Sequence, residues 1–102
     1  MKLVVSEHPL FQDFSSQEIE EIIGEFENQK KIILEELISG NFSGDSPLRR
    51  MFHKSIGGMS YFLSKETTIE LRGILKSMDD NSFSHDNAEK LKGFYSELEF
   101  SI

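Results

Sequence analysis

A run of helical periodicity between Ser15 and Gly40 does most to limit the folds open to this chain. Ser15 followed three residues later by Glu18 is a capping box, and Phe14 with Ile19 is the matching hydrophobic staple. Ile19, Ile22, Ile23, Phe26, Ile33 and Leu37 then recur on one face, with Ile32, Leu34 and Ile38 widening the stripe. Gly40 is a favoured residue just past a helix end. The spacing predicts a helix over 16–39, about 36 Å long at 1.5 Å per residue. Glu18, Glu20 and Glu21 fall in its first turns, where the macrodipole favours negative charge. Gly24 interrupts the pattern at a cost of about 1 kcal/mol relative to Ala, and is a candidate for close approach of a neighbouring helix.

Three further segments share this character. Ser46 as N-cap and Pro47 at the first helical position open a segment over 47–62, with apolar Leu48, Met51, Phe52, Met59, Phe62 and Leu63. Ser64 caps a third helix over 65–78, with Glu66 in its first turn and Ile69, Leu71, Ile74, Leu75 and Met78 on its stripe. Asp79–Ser82 is a turn by composition, as Asn41–Asp45 is a loop. The last helix, over 85–100, starts either at Ser84 or at Asp86, where Glu89 would complete a capping box. Its stripe is Leu91, Phe94, Tyr95 and Leu98. Four amphipathic helices on short loops predict an all-α, antiparallel up-and-down four-helix bundle.

Residues 1–14 form a short N-terminal lead-in. Leu3, Val4 and Val5 have strand composition, but a lone strand has no partner in an otherwise helical chain. The expectation is an extended or short helical segment packed on the bundle through Leu10, Phe11 and Phe14. His8 precedes Pro9, which biases it away from helix, and reads as a solvated loop residue.

The bulk properties exclude several functions. The 102 residues make one domain, 1–102. Absence of cysteine removes disulfides, thiolate catalysis and sulfur-ligated metals. Neither a membrane-length apolar run nor a signal peptide is present, so a cytoplasmic protein is expected, and the initial Met with short flanks suits a standalone one. A net charge of −7, from 18 acidic and 11 basic side chains, repels nucleic acid and anionic lipid and suits a protein partner. No H-E-x-x-H, acidic calcium loop, phosphate loop or G-x-S-x-G occurs, so no metal and no cofactor are expected. The acidic residues read as solvated helix faces and the aromatic ones as core.

His53 is what remains. At 100° per residue it lies off the apolar stripe and shares a face with Arg49, Ile56, Gly57 and Ser60. Gly57-Gly58 inside a helix costs about 0.5–1 kcal/mol per glycine. One turn beyond an outward histidine, the pair suggests a surface kept free of side chains. The competing possibility is that the helix ends near Ile56 with the glycines as its cap. Ile56 is expected at the docking face beside the histidine, whereas Met51 and Phe52 are open to two assignments, part of that docking patch or core.

At these residues the chain resembles a known family. Leu48-Arg49-Arg50-Met51-Phe52-His53 followed by Gly57 looks like the histidine-containing phosphotransfer (HPt) domain, including its version in chemotaxis histidine kinases. That pattern is an arginine-rich lead-in, then H-x-x-K-G and a further glycine ten residues after the histidine. The histidine and near glycine match, while the lysine position is Ile56 and the distant glycine position is Leu63. The resemblance extends to helix order over roughly residues 15–100.

It implies a phosphorelay intermediate without autonomous kinase activity. His53 would accept a phosphoryl group, through Nε2, from an aspartyl-phosphate and pass it on, the partners being a response regulator receiver domain or a histidine kinase. Imidazole suits that task because near pH 7 it offers a neutral, nucleophilic nitrogen. Arg49, Arg50 and Lys54 would partly replace the lysine absent at Ile56, and Gly57 and Ser60 would border the docking face. The departures from the signature leave two alternatives, a receiver-binding decoy or kinase inhibitor without transfer, and an unrelated acidic helical interaction protein.

Overall fold

Four serines start the four helices of this protein. In the computed structural model, which describes residues 1–40, 42 and 46–102, helix α1 spans Ser16–Ser39, α2 Pro47–Met59, α3 Lys65–Asp79 and α4 His85–Glu97. The Ser15 hydroxyl accepts the Glu18 N–H at 3.2 Å, and the Glu18 carboxylate accepts the Ser15 N–H at 3.0 Å. Ser46, Ser64 and Ser84 accept the amides of Arg49, Thr67 and Asn87 in the same way. Of the two possible starts for α4, the chain uses Ser84, with Asn87 rather than Glu89 returning the bond. Gly40 ends α1 at φ 78°, a left-handed conformation open to glycine without a Cβ clash. Asn41 and Ser43–Asp45, most of the expected first loop, lie outside the described residues.

The helices pack as an all-α antiparallel four-helix bundle, α1 against α2 and α4, and α2 also against α3. Ile33, Leu48, Phe52, Ile56, Met59, Met78, Leu91, Tyr95 and Leu98 form its sealed centre. Within it, the Ser55 and Tyr95 hydroxyls share a 2.7 Å hydrogen bond. Among the described residues no helix is long and apolar enough to cross a membrane.

The ends of the chain correct the sequence-based picture. Lys2–Val4 is a strand (β1), and its partner is Glu99–Ser101 (β2), which periodicity assigned to the last helix. The two pair in parallel, Leu3 opposite Phe100, with the Glu99 amide donating to the Met1 carbonyl at 2.8 Å. A helix continued through 98–100 would point Leu98 and Phe100 about 200° apart. Extended backbone sends both to one side, so Leu98 is sealed and Phe100 lies against Phe26, while Glu99 faces out. The Lys30 ammonium donates to the Leu98 carbonyl at 2.6 Å and holds the exit from α4.

The lead-in also packs through other residues than expected. Leu3 and Val5 are buried, whereas Leu10 is 56 % and Phe14 37 % exposed; Phe11 alone of the expected three packs on the core. His8 is no solvated loop residue. Its Nδ1 accepts the Leu10 amide at 3.1 Å, and its ring meets Phe11, Tyr61 and Phe62 edge-on at 5.4–5.8 Å. This cluster explains why α2 stops at Met59 and not at 62. The Phe62 amide turns back to the Met59 carbonyl at 2.9 Å, which carries its ring onto Phe11 and Phe26.

Candidate functional site

Helix α2 carries only basic charge. Its charged residues, setting the histidine aside, are Arg49, Arg50 and Lys54, whereas α1, α3 and α4 all contain carboxylates. In a chain of net charge −7 this gathers three cations on one helix, two of them paired with carboxylates of α1 and α3. His53 stands on this helix, exposed, with no hydrogen bond or ion pair to any described residue. Leu48, Phe52, Ile56 and Met59, spaced at three and four residues, bury the opposite side and fix the rotation of the helix.

The structure distributes the residues expected around His53 unevenly. Gly57 is exposed, and a Cβ there would meet nothing within 4 Å, so the space one turn beyond the imidazole is open. The helix runs through both glycines instead of ending at Ile56. Arg50 is exposed and makes no ion pair with a described carboxylate. Arg49 is half-buried and held by Asp79, its Nε and Nη2 donating to the two carboxylate oxygens at 3.2 and 3.1 Å. Lys54 reaches sideways to Glu25 on α1, at 3.2 Å. The Ser60 hydroxyl donates to the Gly57 carbonyl at 3.2 Å and is occupied with its own helix.

Ile56 requires a correction. It is 1 % exposed and belongs to the core, not to the docking face. On the helical wheel it lies about 60° from His53, yet it is also four residues from Phe52 and three from Met59, and burial follows that stripe. Phe52 is likewise sealed and Met51 packs against the core, which settles both as structural.

The two glycines have different neighbours. A Cβ on Gly58 would lie 2.9 Å from Phe26 Cε1, so Gly58, and not Gly24, is where two helices approach closely; Gly24 faces open space. The partners Asp79 and Glu25, which determine where two of the three cations point, carry no signal in a single sequence because they come from other helices. Comparison with protein-family models, with curated proteins and with solved structures finds no match.

Proposed function

We propose that this chain is a histidine phosphotransfer protein of a two-component phosphorelay, with His53 as the phosphoacceptor. A single observation carries the reading: an unengaged, exposed imidazole on the one helix lacking carboxylates, with bare Gly57 beside it. In the forward step a neutral imidazole nitrogen attacks the phosphorus of a receiver domain's aspartyl-phosphate. The N–P bond forms, the P–O bond to aspartate breaks, and the carboxylate leaves with its electron pair. Transfer to a second receiver reverses these bonds. Such chemistry needs access and cationic surroundings from this chain, while activation of the acyl phosphate belongs to the partner.

A second function, receiver or kinase docking without transfer, is favoured by another observation. Arg49 and Lys54 are both drawn to carboxylates, and Ile56 supplies no charge. One experiment separates the two. The chain is incubated with a receiver domain phosphorylated on aspartate, and labelled protein is tested for acid-labile, alkali-stable phosphate. Label on the wild type and none on His53→Ala is the result expected for relay. Stable complex formation without label assigns the docking function, and neither label nor complex removes both.

A further inference from the structure

We infer that a groove along the first half of α1 docks a basic amphipathic helix of a partner protein. The groove is about 300 Å³ and has an apolar floor of Phe14, Ile22 and Phe26, with Glu18, Glu21 and Glu25 along it. Its floor is preformed. Phe14 is pinned edge-on by Phe11 at 5.1 Å, and Phe26 is held by Phe62 and Phe100 at 6.0 and 5.3 Å. Phe14 is nevertheless 37 % exposed, so apolar surface is available without rearrangement.

Charge selects the occupant. The three carboxylates repeat at three and four residues, so they form a line about 10 Å long on one helix face. One Glu18 oxygen takes the Ser15 amide, and Glu21 has no hydrogen bond or ion pair to a described residue. Glu25 already holds the Lys54 ammonium at 3.2 Å, which shows that this rim accepts an alkylammonium group. Lys or Arg at matching intervals on a partner would meet the line, with its large apolar residues over Phe14 and Ile22. The groove is lined by side chains of one helix and Phe14, and offers no strand edge. A segment whose backbone bonds are internal, a helix, suits it better than an extended peptide. A second copy of this chain brings net charge −7 and is repelled, as are anionic membranes and nucleic acid.

The test uses the full chain and a fluorescein-labelled synthetic peptide of about four helical turns, with Leu on one stripe and Lys flanking it. A control peptide has the same composition permuted so that no stripe forms. The expected result is binding of the striped peptide roughly tenfold tighter than the permuted one, with amide shifts centred on residues 14–26. Glu21→Lys on this exposed helix face should weaken binding roughly tenfold, Glu21→Gln less, and Glu70→Lys on α3 under twofold. Equal binding of the two peptides, or equal effects of Glu21→Lys and Glu70→Lys, would reduce the interaction to net charge and overturn the proposal. So would the same amide shifts appearing on raising protein concentration without peptide, which would assign the groove to a second copy.

Discussion

Gly58 on α2 and Phe26 on α1 set the distance between their helices: a Cβ on Gly58 would fall 2.9 Å from Phe26 Cε1 and 3.6 Å from Cζ. The ring has little room to yield, because Phe62 and Phe100 pack against it and it is 7 % exposed. Gly57, its neighbour in sequence, has no such contact. Two adjacent glycines with the same cost to the helix therefore have different surroundings, one a packed ring and one open space.

Alanine at the two positions should act in opposite directions. Gly57→Ala recovers about 0.5–1 kcal/mol of helix propensity with nothing to displace. Gly58→Ala recovers the same amount but overpacks a fixed ring, at about 1–3 kcal/mol, for a net loss on the order of 1 kcal/mol. Thermal unfolding followed by circular dichroism should move up for the first and down for the second, by a few degrees each. A rise of equal size for both would show that Gly58 does not set the helix spacing.

The buried Ser55–Tyr95 pair predicts a specific alkaline limb. Burial pushes the Tyr95 phenol well above its ordinary value, and the hydrogen bond with Ser55 only partly offsets this. Below about pH 10 the phenol is protonated in both folded and unfolded chains, so the stabilisation is fully present. Above about pH 10 the unfolded chain releases the proton and the folded one keeps it, so stability falls with rising pH. Urea midpoints measured from pH 8 to 11 should drop more steeply for the wild type than for Tyr95→Phe. Ser55→Ala should cost about 1–3 kcal/mol at pH 7 by leaving the phenol without its partner. Parallel pH curves for wild type and Tyr95→Phe would contradict this account.

How much of this could be read from the chain itself depends on whether the cause was local. Helix starts are written in three or four consecutive residues, and Ser15, Ser46 and Ser64 cap as their spacing predicts. Phase on a helix was nearly as clear, and Leu48, Phe52 and Met59 are buried in turn. Ile56 lay at the margin between two faces, where a shift of one stripe decides the outcome. The strand pair was hidden because its halves stand at opposite ends of the sequence, and neither is stable unpaired. The alternation Leu98, Glu99, Phe100 was its local trace, too short to compete with the helical run before it. Asp79 and Glu25, which redirect Arg49 and Lys54, are long-range partners, so the cations around His53 were legible as a set but not in their directions.

The closure of the chain ends rests on Leu98. Its side chain is sealed, so Leu98→Ala should cost about 2–5 kcal/mol, although the backbone carbonyl that takes the Lys30 ammonium is kept. Ile102→Ala, at a residue 52 % exposed, should stay within about 0.5 kcal/mol. Hydrogen exchange offers a local measure, since the Glu99 amide bonded to the Met1 carbonyl should lose protection in Leu98→Ala well before the amides of α1. Retained protection at Glu99 would mean that backbone pairing, and not this side chain, holds the strands.

Arg49 and Asp79 provide the sharpest test of the cations near His53. Their side chains are 28 % and 47 % exposed, and a surface pair of this kind contributes about 0.2–1 kcal/mol even with two parallel bonds. Asp79→Asn should therefore change stability little, yet it removes the charge and one of the two acceptors that hold a guanidinium lying on nearly the same helix face as His53, one turn before it. If the proposed transfer occurs, a loosened Arg49 can donate to the phosphoryl oxygens, which it binds better than a lysine would. The half-life of labelled phosphohistidine should rise severalfold in Asp79→Asn and fall in Arg49→Ala, with the double variant matching Arg49→Ala. That last comparison carries the argument, because it separates loosening of Arg49 from simple removal of a nearby negative charge. A double variant that keeps the longer half-life would assign the effect to Asp79 alone and exclude Arg49 from the site.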